Sequence, residues 1–509
     1  MALLLLPSFP LETWILALGF LALFLLYGIW PYSFFKNLGI PGPRPLPFIG
    51  TFHKYSKGIV HFDQSCYQKY GKIWGIFDGR QPVMAILDPT IIKTILVKEF
   101  YTNFTNHRDF ILNGDLDTAI TIAPNEQWKR IRTVLSPTFT SGRLKEMLPI
   151  INRYGEMLVK NVQKKVDNGK PIAMKEIFSA YSMDVVTSTS FSINIDSMNS
   201  PNDPLVVHIK RLVRFNFLSP VLILAALFPL LTPVLNMLNI SIMPPSLVNF
   251  LFDVVKKIKE HRQKNDHMHR ADFLQLMLDS QISGDTSDEA NSLTALTDKE
   301  ILTQAIVFIS AGYKTKGSTL SFLSYCLATH PDVQQKLQEE IDEALPNQAP
   351  TYEAVVQLEY LDMVVNETLR LYPPGGRIER VCKNTIEING VTIPKGTVTM
   401  IPAFVLHHDP EYWPEPKEYR PERFSKESRE AIDPYVFLPF GAGPRNCIGM
   451  HFALLVLKVA VVVLLQKFSF RPCKETQIPM ELDSKGFFMQ PKKPIKVKLV
   501  PRGIADSKE

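Results

Sequence analysis

Residues 440–449 read Phe-Gly-Ala-Gly-Pro-Arg-Asn-Cys-Ile-Gly and precede an apolar helix predicted over Phe452–Leu465. The segment sets Cys447 at a loop-to-helix junction, among glycines that let backbone N–H groups approach its sulfur. That environment favours the thiolate, and a thiolate is a metal ligand. The glycines do not form a dinucleotide fingerprint, because Asn446 stands where the third glycine should be. An inert buried cysteine is the alternative, and the surrounding segment argues against it.

The remaining composition excludes several classes of protein. The chain has 509 residues, 46% hydrophobic and 21% charged, so it is too long and too apolar for a disordered tail, and its length predicts about three domains. A net charge of +6, evenly mixed, argues against a nucleic-acid binder. The cysteines encode neither a disulfide framework nor a zinc ribbon, which favours a reducing compartment. They are odd in number and widely spread, at Cys66, Cys326, Cys382, Cys447 and Cys473.

Residues 1–35 differ from the rest of the chain. They contain one charge, Glu12, and Thr13–Trp30 is an uncharged run of 18 residues that nearly matches the hydrocarbon thickness when helical. We predict a membrane anchor; a cleaved signal peptide is the alternative, but the run is long for one and no basic residue precedes it. Because the first cation is Lys36, the positive-inside rule places residues 36–509 in the cytosol. The prolines of residues 41–47 predict a stiff hinge.

A long helix is predicted to begin at a capping box formed by Thr297 and Glu300 and to end at His330-Pro331. Its central glycine can mark a kink or a close approach to a ligand. On this pattern alone, a packed core helix is the preferred interpretation. One face of the helix carries Phe308, Ala311, Gly312, Thr315 and Thr319.

Shorter elements are predicted around this helix. Asn389-Gly390 indicates a hairpin turn within a strand-rich Cys382–Val398, and Val166–Lys175 carries similar punctuation. The uncharged Phe215–Phe252 is interrupted by prolines, which favours a segment lying on the bilayer over a spanning helix, with buried core as the alternative. Ser280–Ser292 reads as a polar surface loop.

Glu367 and Arg370, three residues apart on a predicted helix, can pair, although most such pairs are solvated. With the Cys447 loop, Pro421–Phe424 and the Ala-Gly-x-x-Thr helix, this Glu-x-x-Arg motif resembles the microsomal cytochromes P450 in order and spacing. Trp128–Arg132, among other segments, resembles vertebrate family 3 subfamily A, the broad-specificity drug and steroid hydroxylases. The resemblance implies a mainly α fold with a small β portion. It implies a single large haem domain over residues 36–509 behind an N-terminal transmembrane helix.

The resemblance also implies residue roles. Cys447 is expected to be the proximal haem-iron ligand, whose thiolate favours O–O cleavage, and Thr315 to act on the distal side. Haem contacts, with arginines at the propionates, are expected from Trp128, Arg132, Arg380, Phe440 and Arg445. A substrate pocket is expected at Phe110, Ile120, Thr121, Phe308, Ala311, Gly375 and Gly376. A buried structural triad is expected from Glu367, Arg370 and Arg423.

Several positions depart from the family pattern. Lys314 stands where the family usually carries an acidic residue before the distal threonine, and Lys316 stands where Thr or Ser usually follows. A carboxylate can relay protons, whereas an ammonium only donates and burial lowers its pKa, which puts proton delivery in question. Ser310 replaces an aromatic residue, and His107 and His451 replace arginines.

Three functions remain open. The favoured one is a monooxygenase that inserts one atom of O2 into lipophilic substrates such as steroids and xenobiotics. It is expected to use haem b and electrons from NADPH, delivered by cytochrome P450 reductase with cytochrome b5 as a second partner. The second, motivated by Lys314, is a haem-thiolate isomerase or peroxide-type enzyme that needs neither O2 nor reductase; the third is a non-catalytic haem or lipid binder.

The resemblance places the chain in the endoplasmic reticulum membrane as a single-pass protein with a cytosolic catalytic domain. An acidic reductase surface is expected to meet exposed cations, and no nucleic acid is expected as a partner. The expected docking cations are Lys129, Arg130, Arg143 and Lys145.

Overall fold

The computed structural model describes residues 10–108, 112–212, 220–228, 231–238, 240–264, 272–281, 295–483 and 488–503. Helices dominate these ranges. The first ten are α1 (Leu11–Ile29), α2 (Phe34–Asn37), α3 (Ile59–Tyr70), α4 (Pro89–Lys93), α5 (Phe100–Asn103), α6 (Asn125–Leu135), α7 (Ser141–Asp167), α8 (Met174–Phe191), α9 (Pro204–Leu212) and α10 (Pro220–Leu227). The others are α11 (Thr232–Met237), α12 (Pro245–Lys264), α13 (Phe273–Asp279), α14 (Asp298–Thr329), α15 (Pro331–Ala344), α16 (Tyr352–Gln357), α17 (Glu359–Leu371), α18 (Ala403–His407), α19 (Lys426–Glu430) and α20 (Met450–Leu465).

Three small sheets accompany the helices. The strands are β1 (Ile73–Asp78), β2 (Gln81–Ile86), β3 (Ile172–Ala173), β4 (Ile378–Val381), β5 (Ile386–Ile388), β6 (Val391–Ile393), β7 (Val398–Ile401), β8 (Phe468–Arg471) and β9 (Lys496–Pro501). Their order is β1-β2-β7-β4 in one sheet, β3-β9-β8 in the second and β5-β6 in the third. All neighbours are antiparallel except β2 and β7, where Val83 lies opposite Val398. The predicted mainly α fold with a small β portion is confirmed.

Local turn and cap signals fold as predicted. Asn389 and Gly390 adopt φ values of 51° and 78° between β5 and β6, which is the left-handed geometry of a tight hairpin. At the start of α14 both bonds of the capping box form, since the Glu300 N–H donates to Thr297 Oγ1 and the Thr297 N–H donates to the Glu300 carboxylate.

Gly312 allows α14 to contact α8 closely. A Cβ atom at this glycine would lie 2.3 Å from Val186 Cγ2, so a larger residue would push the two helices apart. The helix continues through Gly312 without interruption. The glycine therefore serves a close helix–helix contact.

Two sequence predictions need correction or restriction. Within Val166–Lys175 the expected turn forms at Gly169, with a φ of 63°, but no local hairpin follows, because α7 extends to Asp167 and the two residues of β3 pair with the distant β9. The described part of Phe215–Phe252 holds the short helices α10 and α11 and the start of α12, each beginning at or beside a proline. Most of Ser280–Ser292, and Phe110 of the expected pocket, lie outside the described residues.

The N-terminal helix contacts the body of the protein. Leu11–Asn37, 27 residues long, contains an 18-residue window with a mean hydropathy of 2.0, so it is long and apolar enough to cross a membrane by length and composition. The Phe24 ring lies 4.5 Å from that of Phe48 and 6.3 Å from that of Phe228, between centroids. The proline-rich segment behind it is fixed as well, because the Gly75 N–H of β1 donates to Pro41 O at 2.8 Å.

Buried apolar side chains form two main clusters, one around α8, α14 and α20 and one at the four-stranded sheet. The loop of residues 440–449 touches both. Phe440 and Ile448 pack on the first cluster, and Ala442 packs on the second. The loop is thus held between the helical and sheet parts of the fold.

Candidate active site

The loop of residues 440–449 folds tightly around its glycines. Gly441 and Gly443 have φ values of 72° and 74°, and a Cβ at Gly443 would lie 1.8 Å from Leu96 O. No residue with a side chain fits there without moving the backbone. The Cys447 N–H donates to Phe440 O at 2.9 Å and closes the loop immediately before α20.

The Cys447 side chain is accessible to solvent-sized molecules, yet it is surrounded by protein. Burial raises the pKa of the thiol, against the opposing effects of a backbone hydrogen bond at Gly449 and of the nearby Arg132 and Lys316. The protein alone therefore does not hold a thiolate, and a bound metal cation would supply the missing stabilisation.

Two buried guanidinium groups, those of Arg380 and Arg445, lie near one another without a carboxylate partner among the described residues. Arg380 Nη1 donates to Glu379 O, Arg445 donates to the carbonyls of Thr105, Ile120 and Ala123, and Nε of each makes no hydrogen bond. Burial lowers the pKa of Arg380 to about 10. Burial, with Arg380 and Arg132 nearby, lowers that of Arg445 to about 9.

Trp128 completes this cation cluster. The Arg445 guanidinium lies 5.1 Å from the Trp128 ring centroid, and the indole Nε1 is buried without an acceptor. Orphaned donors and uncompensated charge at one place call for an anion with several oxygen atoms. The paired propionates of a haem fit that requirement, so the donor set fits the expected cofactor.

Arg132 and His107 lie beside the cation cluster and have hydrogen-bond partners of their own. Both terminal nitrogens of Arg132 donate to Asn446, at 2.7 Å to its carbonyl and 2.9 Å to its side chain, so Arg132 holds the cysteine loop. His107 Nδ1 lies 3.2 Å from Thr121 O, and burial together with Arg380 and Arg445 keeps the pKa of His107 well below its usual value. His107 therefore contributes no charge to the cation cluster.

Part of the expected substrate wall faces open space. Thr315 Oγ1 donates to Ala311 O at 2.7 Å, Ala311 is exposed, and a Cβ at Gly375 or Gly376 would touch nothing within 4 Å. Thr121 is exposed, whereas Ile120 is buried and its N–H donates to Gln304 Oε1 at 2.7 Å.

Phe308 does not join this wall. Its side chain is 8% exposed and packs edge-to-face on Phe139 and Phe273, with centroids 5.7 and 5.6 Å away. Phe308 lies in the core beside α13, and its place in the substrate pocket stays a prediction. Helical spacing had placed Phe308 on the same face of the helix as Ala311 and Thr315.

The two lysines beside Thr315 lie in different surroundings. Lys316 is 2% exposed, its Nζ lies 4.5 Å from the Phe452 ring centroid, and burial lowers its pKa to about 7. Lys314 Nζ lies 5.0 Å from the Phe488 ring centroid, and burial followed by Lys175 lowers its pKa. Within the described residues neither amine forms an ion pair. Because an ammonium group only donates hydrogen bonds, neither lysine can do the work of the carboxylate that the family places at position 314.

The Glu367–Arg370 pair is completely buried. Arg370 Nε and Nη2 each donate to the carboxylate at 2.7 Å, and both side chains are 0% exposed. Arg423 is a weaker third member, because its Nε lies 3.4 Å from Glu367 Oε1 without hydrogen-bond geometry. The structure brings the predicted triad together, with most of the bonding in one pair.

The cations expected to contact a reductase differ in their exposure to solvent and in their ion-pair partners. Arg130 forms an ion pair with Glu300 at the start of α14 and is 20% exposed. The side chains of the other three, Lys129, Arg143 and Lys145, are exposed, and their acidic partners are exposed as well. Arg130 is therefore a structural residue, and the remaining three form the exposed group.

Sequence reasoning missed a buried polar network beside the pocket. Arg108 donates to Asp78 at 2.5 Å and to Glu379 at 3.0 Å, while Arg377 holds Asp63 through two bonds. Tyr55 connects the two halves by donating to Asp78 and accepting from Arg377. These partners lie up to 322 positions apart in sequence, so no local pattern could reveal them.

The site can be compared with known proteins. A family model described as Cytochrome P450 matches residues 40–499. The chain is 56% identical to cytochrome P450 3A28 of Bos taurus over 506 residues, which cover 99% of both chains. It is 57% identical to cytochrome P450 3A9 of Rattus norvegicus and 56% identical to cytochrome P450 3A5 of Homo sapiens, each over 98% of both chains.

Proposed function

Since the chain belongs to the cytochrome P450 family, we propose that Cys447 binds the iron of haem b and that Thr315 lies on the opposite, substrate-facing side. The enzyme is a haem-thiolate monooxygenase that acts on lipophilic substrates, steroids and xenobiotics among them, with electrons that derive from NADPH. The alternatives of an isomerase and of a non-catalytic binder gain no support from these relatives.

The observation that carries the residue assignment is the cation cluster of Arg380 and Arg445. Two buried positive charges with orphaned Nε donors would destabilise the fold unless an anion accompanied them. We assign both arginines and the Trp128 indole to the haem propionates, since guanidinium groups match carboxylates in shape. Arg132 instead orients the Cys447 loop through Asn446.

When bound, haem supplies the activation of O2, and the chain supplies the rest. Cys447 would hold the iron through its sulfur, and its thiolate would supply electron density there. Thr315 holds a hydroxyl proton at Oγ1, which its bond to Ala311 O fixes in direction at rest. Gly375 and Gly376 leave room for a large substrate, because no atom lies within 4 Å of the point where a Cβ would stand at either glycine.

Partners and location follow from the surface. We propose that an acidic reductase surface docks on Lys129, Arg143 and Lys145, that cytochrome b5 is a second partner, and that no nucleic acid binds. We propose a single-pass protein of the endoplasmic reticulum membrane, with residues 1–35 as the anchor and residues 36–509 as one cytosolic haem domain. The exposed apolar side chains of α10 and α11, such as Leu224 and Val234, support contact between that domain and the bilayer.

The carbon-monoxide difference spectrum of the reduced protein tests the haem assignment. The wild-type protein should show the red-shifted Soret band of thiolate ligation, and Cys447→Ser should lose it. Cys473→Ser is the matched control, because Cys473 is also not buried but lies outside the loop of residues 440–449. This variant should retain the band. A red-shifted band in Cys447→Ser would refute the assignment.

A further inference from the structure

Lys316 is a buried amine that takes no part in the chemistry assigned to Cys447 and Thr315. It follows Thr315 on α14 and is 2% exposed. Its Nζ lies 4.5 Å from the ring centroid of Phe452, in the first turn of α20. Because α20 begins at Met450, directly behind the cysteine loop, the amine lies against the turn of helix that follows Cys447.

Gly312 makes room for this amine inside the fold. Lys316 Nζ lies 3.3 Å from the point where a Cβ at Gly312 would stand, so the lysine side chain runs back along α14 by one turn. A side chain at position 312 would meet both this amine and Val186 of α8. The amine is thus held between α14 and α20, away from bulk water.

Lys316 and Cys447 each affect the charge state of the other. Burial lowers the pKa of Lys316 to about 7, and a negative charge on Cys447 opposes that effect. In return, Lys316 and Arg132 are the two side chains that lower the pKa of the Cys447 thiol against burial. Arg132 has a partner in Asn446, whereas Lys316 forms no ion pair within the described residues. A thiolate at Cys447 would therefore be the counter-charge of Lys316.

A cation in this position bears on the transfer of an electron to iron held by Cys447. One electron that derives from NADPH converts ferric to ferrous iron, so the haem–thiolate group becomes more negative by one charge. An ammonium group that attracts the thiolate stabilises the more negative state, and burial limits the screening of that attraction by water and salt. The Thr or Ser that the family usually carries at position 316 has no charge to contribute.

We propose that the ammonium group of Lys316 makes iron bound at Cys447 easier to reduce. Lys316 would act through the thiolate, as a positioning residue of the electron-transfer step. This proposal rests on the ligation of haem by Cys447 proposed above. The ferric iron should accept its first electron at a higher potential than the same site with an uncharged residue at position 316.

Reductive titration of the full-length holoenzyme tests the proposal. Sodium dithionite is added in the presence of mediator dyes, and the ferric and ferrous fractions are read from the Soret band at about pH 6.5, below the pKa of Lys316. At the potential that half-reduces wild type, the ferrous-to-ferric ratio should fall about tenfold in Lys316→Met, a shift of about 59 mV for one electron. The difference should persist at high salt, because the charge is buried.

Further variants separate the charge of Lys316 from its shape. Lys316→Thr differs from Lys316→Met in volume but also lacks the charge, so it should give the same decrease. Lys316→Arg keeps the charge and should stay within about threefold of wild type. Lys314→Met is the matched control, because it removes a partly buried lysine of the same helix whose pKa is lowered by burial and Lys175, without an effect of Cys447. This control should change the ratio less than about twofold.

An unchanged ratio in Lys316→Met, or an equal decrease in Lys316→Arg, would overturn the proposal. A decrease that disappears at high salt would also overturn it, because an exposed charge would then be responsible. If Lys316→Met does not retain the carbon-monoxide band, Lys316→Thr supplies the comparison with the residue that the family usually carries. Failure of the proposed function would look different: the red-shifted band would be missing in wild type.

Discussion

Replacing Glu367 by alanine should strongly destabilise the folded holoenzyme. The carboxylate accepts two bonds of 2.7 Å from Arg370 and one of 2.9 Å from the Arg420 N–H. Arg370 also donates to the carbonyls of His407, Pro416 and Glu418, so it fastens that connecting segment onto α17. After the substitution, Arg370 would keep these carbonyl bonds but would be a buried cation without a counter-charge.

The expected loss is about 4 kcal/mol. Two charge-assisted hydrogen bonds contribute about 1.5–3 kcal/mol each, and removing one partner of a buried pair costs about 3–5 kcal/mol. Folded domains are stable by only about 5–15 kcal/mol. The loss should therefore shorten the lifetime of the haem-bound state. If about a third of the lost free energy lowers the barrier to unfolding, that lifetime should fall at least about tenfold.

The assay is the decay of the carbon-monoxide Soret band during incubation at a fixed elevated temperature. Glu146→Ala is the control, since Arg143 and Glu146 are also an Arg–Glu pair three residues apart but are exposed. It should change stability by less than about 1 kcal/mol. Glu367→Gln keeps the shape and removes the charge, so it should decay almost as fast as Glu367→Ala. Equal lifetimes for Glu367→Ala and Glu146→Ala would refute the reasoning.

Other contacts give shorter tests. Burial raises the pKa of Asp184 to about 7, although the Ser197 N–H donates to its carboxylate. Between pH 3.8 and about pH 7, Asp184 keeps a proton in the folded chain that it has lost in the unfolded chain. The free energy of unfolding therefore falls as the pH rises through this window. Asp184→Asn should flatten the melting temperature measured across that range, and a slope equal to that of wild type would contradict this. Lys314→Glu should raise product formed per NADPH consumed and lower peroxide release, if the missing carboxylate impairs proton delivery; an unchanged ratio would remove that account. The rate of reduction by the reductase should fall with added salt because exposed charges are screened, and a flat response would count against electrostatic docking. Arg130→Met should leave that salt dependence unchanged, because Arg130 is already paired with Glu300.

Local signals predicted local structure well. The capping box of Thr297, the hairpin at Asn389 and the loop before Cys447 all depend on residues a few positions apart, and all three form. The mainly α fold was predicted through the family resemblance, which these same short motifs carry.

Predictions about partners distant in sequence were less successful. Phe308 was expected in the pocket from the family resemblance; helical spacing gave it a shared face with Ala311 but not the contacts of that face with Phe139 and Phe273. Arg130 was taken as a free surface cation, and its partner Glu300 lies 170 positions away. Position 314 shows the same limit. The sequence revealed a lysine in an unusual place, but only the fold brings the Phe488 ring beside it.

The contact between α1 and the body affects how substrate reaches the enzyme. Phe24 packs on Phe48 and Phe228, and the Arg80 guanidinium lies 3.5 Å from the Tyr27 ring centroid. In the proposed membrane orientation these contacts would fix the tilt of the body against the lipid surface. A lipophilic compound would then arrive from the lipid phase, at a concentration set by its partition coefficient. Apparent Michaelis constants expressed per litre of buffer should therefore rise with the volume of lipid in the assay.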